Sequence, residues 1–162
     1  MPGPLRRPAA LLALIVLVSV AAVAVALVSQ YQYDMQPCPW CTLQRLIFLV
    51  VGGFALLGLL IPSNGVRRVM AAGGLMFSIA GIAAALWQHF VAASSDSCNL
   101  TLADRIMKTL GLFDLAPSVF APMASCAEAS VKLLGIPYAF WSLTLFVVCA
   151  IGCVQVMRTA RI

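Results

Sequence analysis

The sequence predicts an all-α integral membrane four-helix bundle with a long extracytoplasmic loop that carries a short amphipathic helix. Three observations predict it. Of 162 residues, 63% are hydrophobic and only 9% charged, with a mean hydropathy of +1.04; such a chain has too little polar surface to coat a soluble domain. Four apolar stretches, residues 9–28, 44–61, 69–88 and 138–157, have about the length that crosses a hydrocarbon core. Finally, the charges sort by side. Arg6, Arg7, Arg67, Arg68, Arg158 and Arg161 share the side of both termini, while Asp34, Asp96, Asp104, Asp114 and Glu128 all fall on the other. By the positive-inside rule the arginine side is cytoplasmic. The net charge of +5 would suit a nucleic acid, but this sorting assigns it to membrane topology instead. The whole chain, 1–162, reads as one membrane domain, with outer loops at 29–43 and 89–137 and an inner loop at 62–68.

The first span has Ser19 as its only polar side chain and Arg6 and Arg7 before it. A signal peptide is the competing reading, and the apolar run is long for one. Gln30 to Gln36 are polar and aromatic, as expected at a membrane–water boundary. The second span is strictly apolar only over 46–61, so its helix is expected to start earlier. That places Arg45 at or just inside the interface, where an arginine is costly unless it snorkels or finds a partner. Gly52, Gly53 and Gly58 suit close helix packing in lipid. Pro62-Ser63-Asn64-Gly65 reads as a turn. The third span carries Gly73, Gly74 and Gly81 and ends at Gln88 and His89.

In the long outer loop, Thr101-Leu102-Ala103-Asp104 has the pattern of a capping box. Leu102, Ile106 and Leu110 then repeat at helical spacing, and Gly111 closes the segment. The short helix is expected to lie on the membrane surface or against the protein itself. Pro117, Pro122 and Pro137 punctuate the rest of the loop, and Trp141 marks the interface at the start of the fourth span.

Six cysteines are many for this length. Cys38-Pro39-Trp40-Cys41 sits where the chain enters the bilayer, and a Cys-x-x-Cys can make one thiol reactive. Cys98 and Cys126 both lie in the outer loop. Alone they would be a structural staple; beside a second pair they can pass electrons by thiol–disulfide exchange. Their connectivity stays open, since Cys38 with Cys126 is as allowed as Cys98 with Cys126. A four-cysteine zinc site is the rival, but Cys98 and Cys126 lack knuckle spacing, and no metal is assigned. Cys149 and Cys153 share one face of the fourth helix and read as small buried hydrophobes. His89 either caps its helix or hydrogen-bonds a membrane-soluble ligand.

Cys38-Pro39-Trp40-Cys41 with Arg45 at the start of the second span resembles the disulfide bond formation protein B (DsbB) family of membrane quinone reductases. Cys126-Ala127-Glu128 and Leu134-Gly135-Ile136-Pro137 are similar to family sequence too, and the likeness covers nearly the whole chain. The resemblance implies a bacterial inner-membrane enzyme with its active cysteines facing the periplasm. It implies Cys98 as the residue that forms a mixed disulfide with a DsbA-like soluble oxidase, Cys126 as its pair, Cys38 as the exchange partner and Cys41 as the thiolate facing the quinone. The cofactor would be ubiquinone or menaquinone, held by Arg45, with Gln44 and His89 as further quinone-site candidates. Gln44 stands where the family often carries Glu. Two other readings compete: a membrane scaffold with structural disulfides, and a vitamin K epoxide reductase-like oxidoreductase, whose Cys-x-x-Cys usually lies near the final helix.

Overall fold

A computed structural model describes residues 6–94 and 101–160. Four long helices dominate it: α1 (Arg6–Gln32), α2 (Pro39–Leu60), α3 (Asn64–Phe90) and, after the outer loop, the closing helix Tyr138–Thr159. All four are long and apolar enough to cross a membrane. α1 packs on α2 and on the closing helix, and α3 packs on the same two, so the four form a ring. The outer loop adds α4 (Leu102–Thr109), α5 (Leu112–Leu115), α6 (Pro117–Phe120) and a small antiparallel hairpin of β1 (Lys132–Leu133) and β2 (Ile136–Pro137); the closing helix is therefore α7. This is an all-α membrane bundle with the expected short loop helix.

The helix limits differ from those read in the apolar runs. α1 continues through Gln32, α2 begins at Pro39 and α3 at Asn64. Apolarity marks only the lipid-facing part, whereas helical hydrogen bonding continues into interfacial polar residues, because their backbone groups still need partners at that depth. Arg67 is thus helical and buried, with Nε donating to the Gly58 carbonyl at 3.3 Å. The consequence for chemistry is that Cys41 lies in the first turn of α2, not in the loop before it.

α4 has the capping box in full: Asp104 N–H donates to Thr101 Oγ1, and Thr101 N–H donates to Asp104 Oδ2 at 2.9 Å. Gly111 ends it at φ +66°, a conformation glycine adopts without penalty. Its inward face is Ala103 and Met107, both fully buried, while Leu102 and Leu110 are exposed. The hairpin has no counterpart among the sequence expectations. Leu134 and Gly135 both have positive φ, as a two-residue type I′ turn requires, and the register pairs Leu133 with Ile136. Trp141 Nε1 donates to the Leu133 carbonyl at 3.2 Å, tying the hairpin to α7.

In the bundle interior, Phe48 and Phe146 stack with centroids 3.8 Å apart. A Cβ at Gly81 would overlap the Phe146 ring, so glycine there is what admits the aromatic pair.

Candidate active site

The start of α2 builds the reactive centre. Cys38 is the N-cap residue, and its sulfur accepts the Cys41 N–H at 3.3 Å. Pro39 at the first helical position costs no hydrogen bond. One turn of helix then brings Cys41 Sγ to 2.7 Å from Cys38 Sγ.

The loop brings a third sulfur to the same point. The Pro37 carbonyl accepts the N–H groups of Met123 at 2.9 Å and Ala124 at 3.3 Å, pinning the returning loop to the segment just before α2. The chain then turns tightly: Ser125 N–H donates to Glu128 Oε2 at 2.8 Å and Ala129 N–H to the Ser125 carbonyl at 3.0 Å. The bonds from Ser125 hold the Glu128 carboxyl below its ordinary pKa. Cys126, inside this turn, is buried and hydrogen-bonded to Cys38.

Cys38 therefore sits between two sulfurs. Its hydrogen bonds with Cys126 and Cys41, together with burial, hold its thiol well above the ordinary cysteine range. Cys126 shifts the other way. The bond with Cys38 outweighs burial, and the Trp40 backbone N–H helps. That N–H is one of the first-turn donors of α2 that lack a helical partner, which suits a thiolate.

Below Cys41 opens a cavity of about 350 Å³ between α1, α2, the hairpin and α7. Val18, Ala22, Val25, Phe48, Leu133 and Leu145 contribute apolar wall, and Cys41, Gln44, Arg45, Gln88 and Tyr138 contribute polar groups. Among the described residues no carboxylate lines it. A mostly apolar chamber with a few convergent polar groups is what a small-molecule site requires.

Arg45 is 5% exposed. Its Nη1 donates to Gln30 Oε1 at 2.7 Å and to the Val119 carbonyl at 2.8 Å, and its Nη2 to the Ala26 carbonyl at 3.3 Å. The guanidinium thus ties α2 to α1 and to the loop while presenting its charge to the cavity. The hydrogen bond to the Cys41 sulfur comes instead from Gln88, whose Nε2 lies 3.2 Å away. Gln44 Nε2 in turn donates to Gln88 Oε1 at 2.5 Å.

Of the residues singled out in the sequence, Cys38, Cys41 and Cys126 converge, and Arg45 and Gln44 line the cavity beside them. Cys98 lies outside the described residues. His89 stands apart from them: it is not among the cavity-lining residues, and its ring packs against Phe90 and Phe140 at 4.9 and 4.6 Å. One residue along a helix turns a side chain by about 100°, so Gln88 faces α2 and His89 does not. Gln88, Gln30 and Tyr138 are site residues that the sequence did not single out. A glutamine at a helix end reads as interfacial, and only the packing of α3 on α2 distinguishes it. Cys149 and Cys153 are buried within the bundle, away from the cavity lining.

The family model for Disulfide bond formation protein DsbB matches residues 7–156. Disulfide bond formation protein B 1 of Pseudomonas syringae pv. syringae is 36% identical over 91% of this chain and 88% of its own length. Disulfide bond formation protein B of Stutzerimonas stutzeri is 33% identical over 95% and 98%, and that of Cupriavidus metallidurans 32% identical over 80% of each. With Cys38, Cys41 and Cys126 gathered over an apolar cavity and the family match spanning nearly all of it, this chain belongs to the DsbB family.

Proposed function

We propose that this protein is a membrane thiol:quinone oxidoreductase that reoxidises a soluble, thioredoxin-like (DsbA-like) dithiol oxidase and so supports disulfide formation in exported proteins. One observation carries the reading. Cys38 contacts both Cys126 on the outer loop and Cys41 on the cavity wall. Such a trio is a path for thiol–disulfide exchange from the aqueous side to the membrane side. The names of the relatives, disulfide bond formation protein B, agree with that use.

The cavity residues fit a quinone. Its apolar wall suits a hydrophobic ring and chain, and Arg45 and Tyr138 supply polar partners for ring oxygens. Ubiquinone and menaquinone both meet this requirement. When bound, the quinone supplies the sink for two electrons and two protons.

The chain's own residues do the rest. The Cys126 thiolate attacks Cys38 Sγ of a Cys38–Cys41 disulfide. The Cys126–Cys38 bond forms, the Cys38–Cys41 bond breaks, and its electron pair leaves on Cys41 as thiolate. Attack requires a thiolate, and the leaving thiol departs more easily when its anion is stabilised. Cys126 meets the first demand through its partners. Cys41 meets the second with the Gln88 N–H at its sulfur and the Arg45 charge on the same cavity wall. Cys98 is assigned the mixed disulfide with the soluble partner, which frees Cys126. Both termini are placed on the cytoplasmic side of the bacterial inner membrane and the sulfur trio on the periplasmic side, in line with the basic residues.

The test is quinone reduction by the purified protein, driven by a reduced thioredoxin-like oxidase and followed by quinone absorbance. Turnover is expected in the wild type, lost in Cys41→Ser and Cys98→Ser, and reduced in Arg45→Ala. A wild-type protein that reduces neither ubiquinone nor menaquinone overturns the reading.

A further inference from the structure

We propose that Gln44 and Gln88 form a charge-neutral amide chain with a fixed hydrogen-bond direction, which holds the Cys41 sulfur at the cavity as a thiolate. This rests on the thiol:quinone reading above. The two glutamines are positioning residues that act on Cys41.

Both side chains are almost fully buried, Gln44 at 3% and Gln88 at 5% exposure. They meet across the α2–α3 interface, and both line the cavity with Cys41. The order of donors is dictated by chemistry. A thiolate has lone pairs and no proton, so it can only accept. The Gln88 amide must therefore turn its N–H toward the sulfur, as at 3.2 Å. Its carbonyl oxygen then faces Gln44 and needs a donor, which the Gln44 N–H supplies at 2.5 Å. Each amide fixes the orientation of the next, and the sulfur receives the donor end.

The arrangement is sensitive to a single atom. A carboxylate at position 44 matches glutamine in shape but can only accept. Gln88 would then have to flip its amide to donate to position 44, turning its carbonyl oxygen toward Cys41. The sulfur would lose a donor and gain a repelling dipole, with a negative charge nearby, and both changes disfavour its anion. Other titratable or charged groups interacting with that sulfur are Cys38 at the N-cap of α2, Arg45 on α2, Cys126 on the loop and Tyr138 on α7. The substitutions leave all four in place.

The experiment measures iodoacetamide alkylation of Cys41 against pH in the reduced, detergent-solubilised full-length protein, resolved by peptide mass spectrometry. No quinone or partner is needed. Gln88→Leu and Gln44→Glu are each expected to move the pH profile of Cys41 alkylation up by about one unit, and so to slow alkylation about tenfold at pH values below the wild-type midpoint. A melting curve of each variant in the same detergent, expected to match the wild type, serves as the check on folding. In Gln88→Leu, adding Gln44→Glu is expected to cost much less than alone, because there is no amide left to flip. Wild-type alkylation profiles for Cys41 in both single variants, or a full additive cost in the double variant, overturn the amide chain. These readouts are independent of whether the wild type turns over quinone, so this proposal and the enzymatic reading fail separately.

Discussion

Arg45 and Val119 are joined by a 2.8 Å hydrogen bond from the guanidinium Nη1 to the backbone carbonyl. This bond clips the loop after α4 onto the start of α2, one helical turn below Cys41. The charge that serves the cavity is therefore also a structural tie, and it shares its nitrogen with Gln30 on α1.

Arg45→Ala is expected to lower stability by about 2–3 kcal/mol, because it leaves buried acceptors on α1 and the loop without their donor. It should also increase protease cleavage within residues 101–137. Arg45→Lys keeps the charge but loses the fork, so it should restore part of the quinone turnover and little of the protease resistance. Thermal melts in detergent and limited proteolysis check both statements. Unchanged loop cleavage in Arg45→Ala would contradict the tie.

The cysteines should differ in reactivity with pH. Cys126 is shifted down and Cys38 up. A lowered value means the thiolate forms at lower pH, so Cys126 is expected to alkylate ahead of Cys38 at neutral pH. Cys38 should catch up only as pH rises through its elevated value. Cys38→Ala removes the main cause of the Cys126 shift and should slow Cys126 alkylation at neutral pH. Site-resolved mass spectrometry after timed labelling measures both, and Cys38 reacting first would contradict the assignment.

Gly81→Ala is expected to destabilise the bundle by about 1–3 kcal/mol, since its methyl group would strike the buried Phe146 ring. The displaced ring pushes on Phe48, which lines the cavity, so quinone affinity should fall as well. Gly81→Ala with Phe146→Leu should recover part of the melting temperature. A melt and a quinone titration on the same samples test the coupling.

Much of the architecture is legible in the sequence. Four apolar runs specify four crossings because no other element satisfies its backbone in lipid. The capping box at Thr101 and the stop at Gly111 are local chemistry, and both stand where the residues predict them. The spacing of Cys38, Cys41 and Arg45 places them on consecutive turns once α2 is known to start at Pro39. Features that depend on distant pairing are not legible in this way. The hairpin turn rests on a leucine with positive φ, for which sequence gives no warning. The choice of Gln88 over His89 depends on which side of α3 faces α2. The approach of Cys126 to Cys38 depends on two backbone bonds to the Pro37 carbonyl that no side-chain pattern encodes.

The direct exchange between Cys126 and Cys38 is the step on which the proposed electron path turns. The most direct measurement uses a Cys41→Ser, Cys98→Ser double variant, which leaves Cys38 and Cys126 as the outer cysteines. After mild oxidation with glutathione disulfide, a non-reducing digest is analysed by mass spectrometry. The path predicts a single linked peptide joining Cys38 to Cys126. Both cysteines remaining free and alkylatable in a variant that melts like the wild type would contradict it.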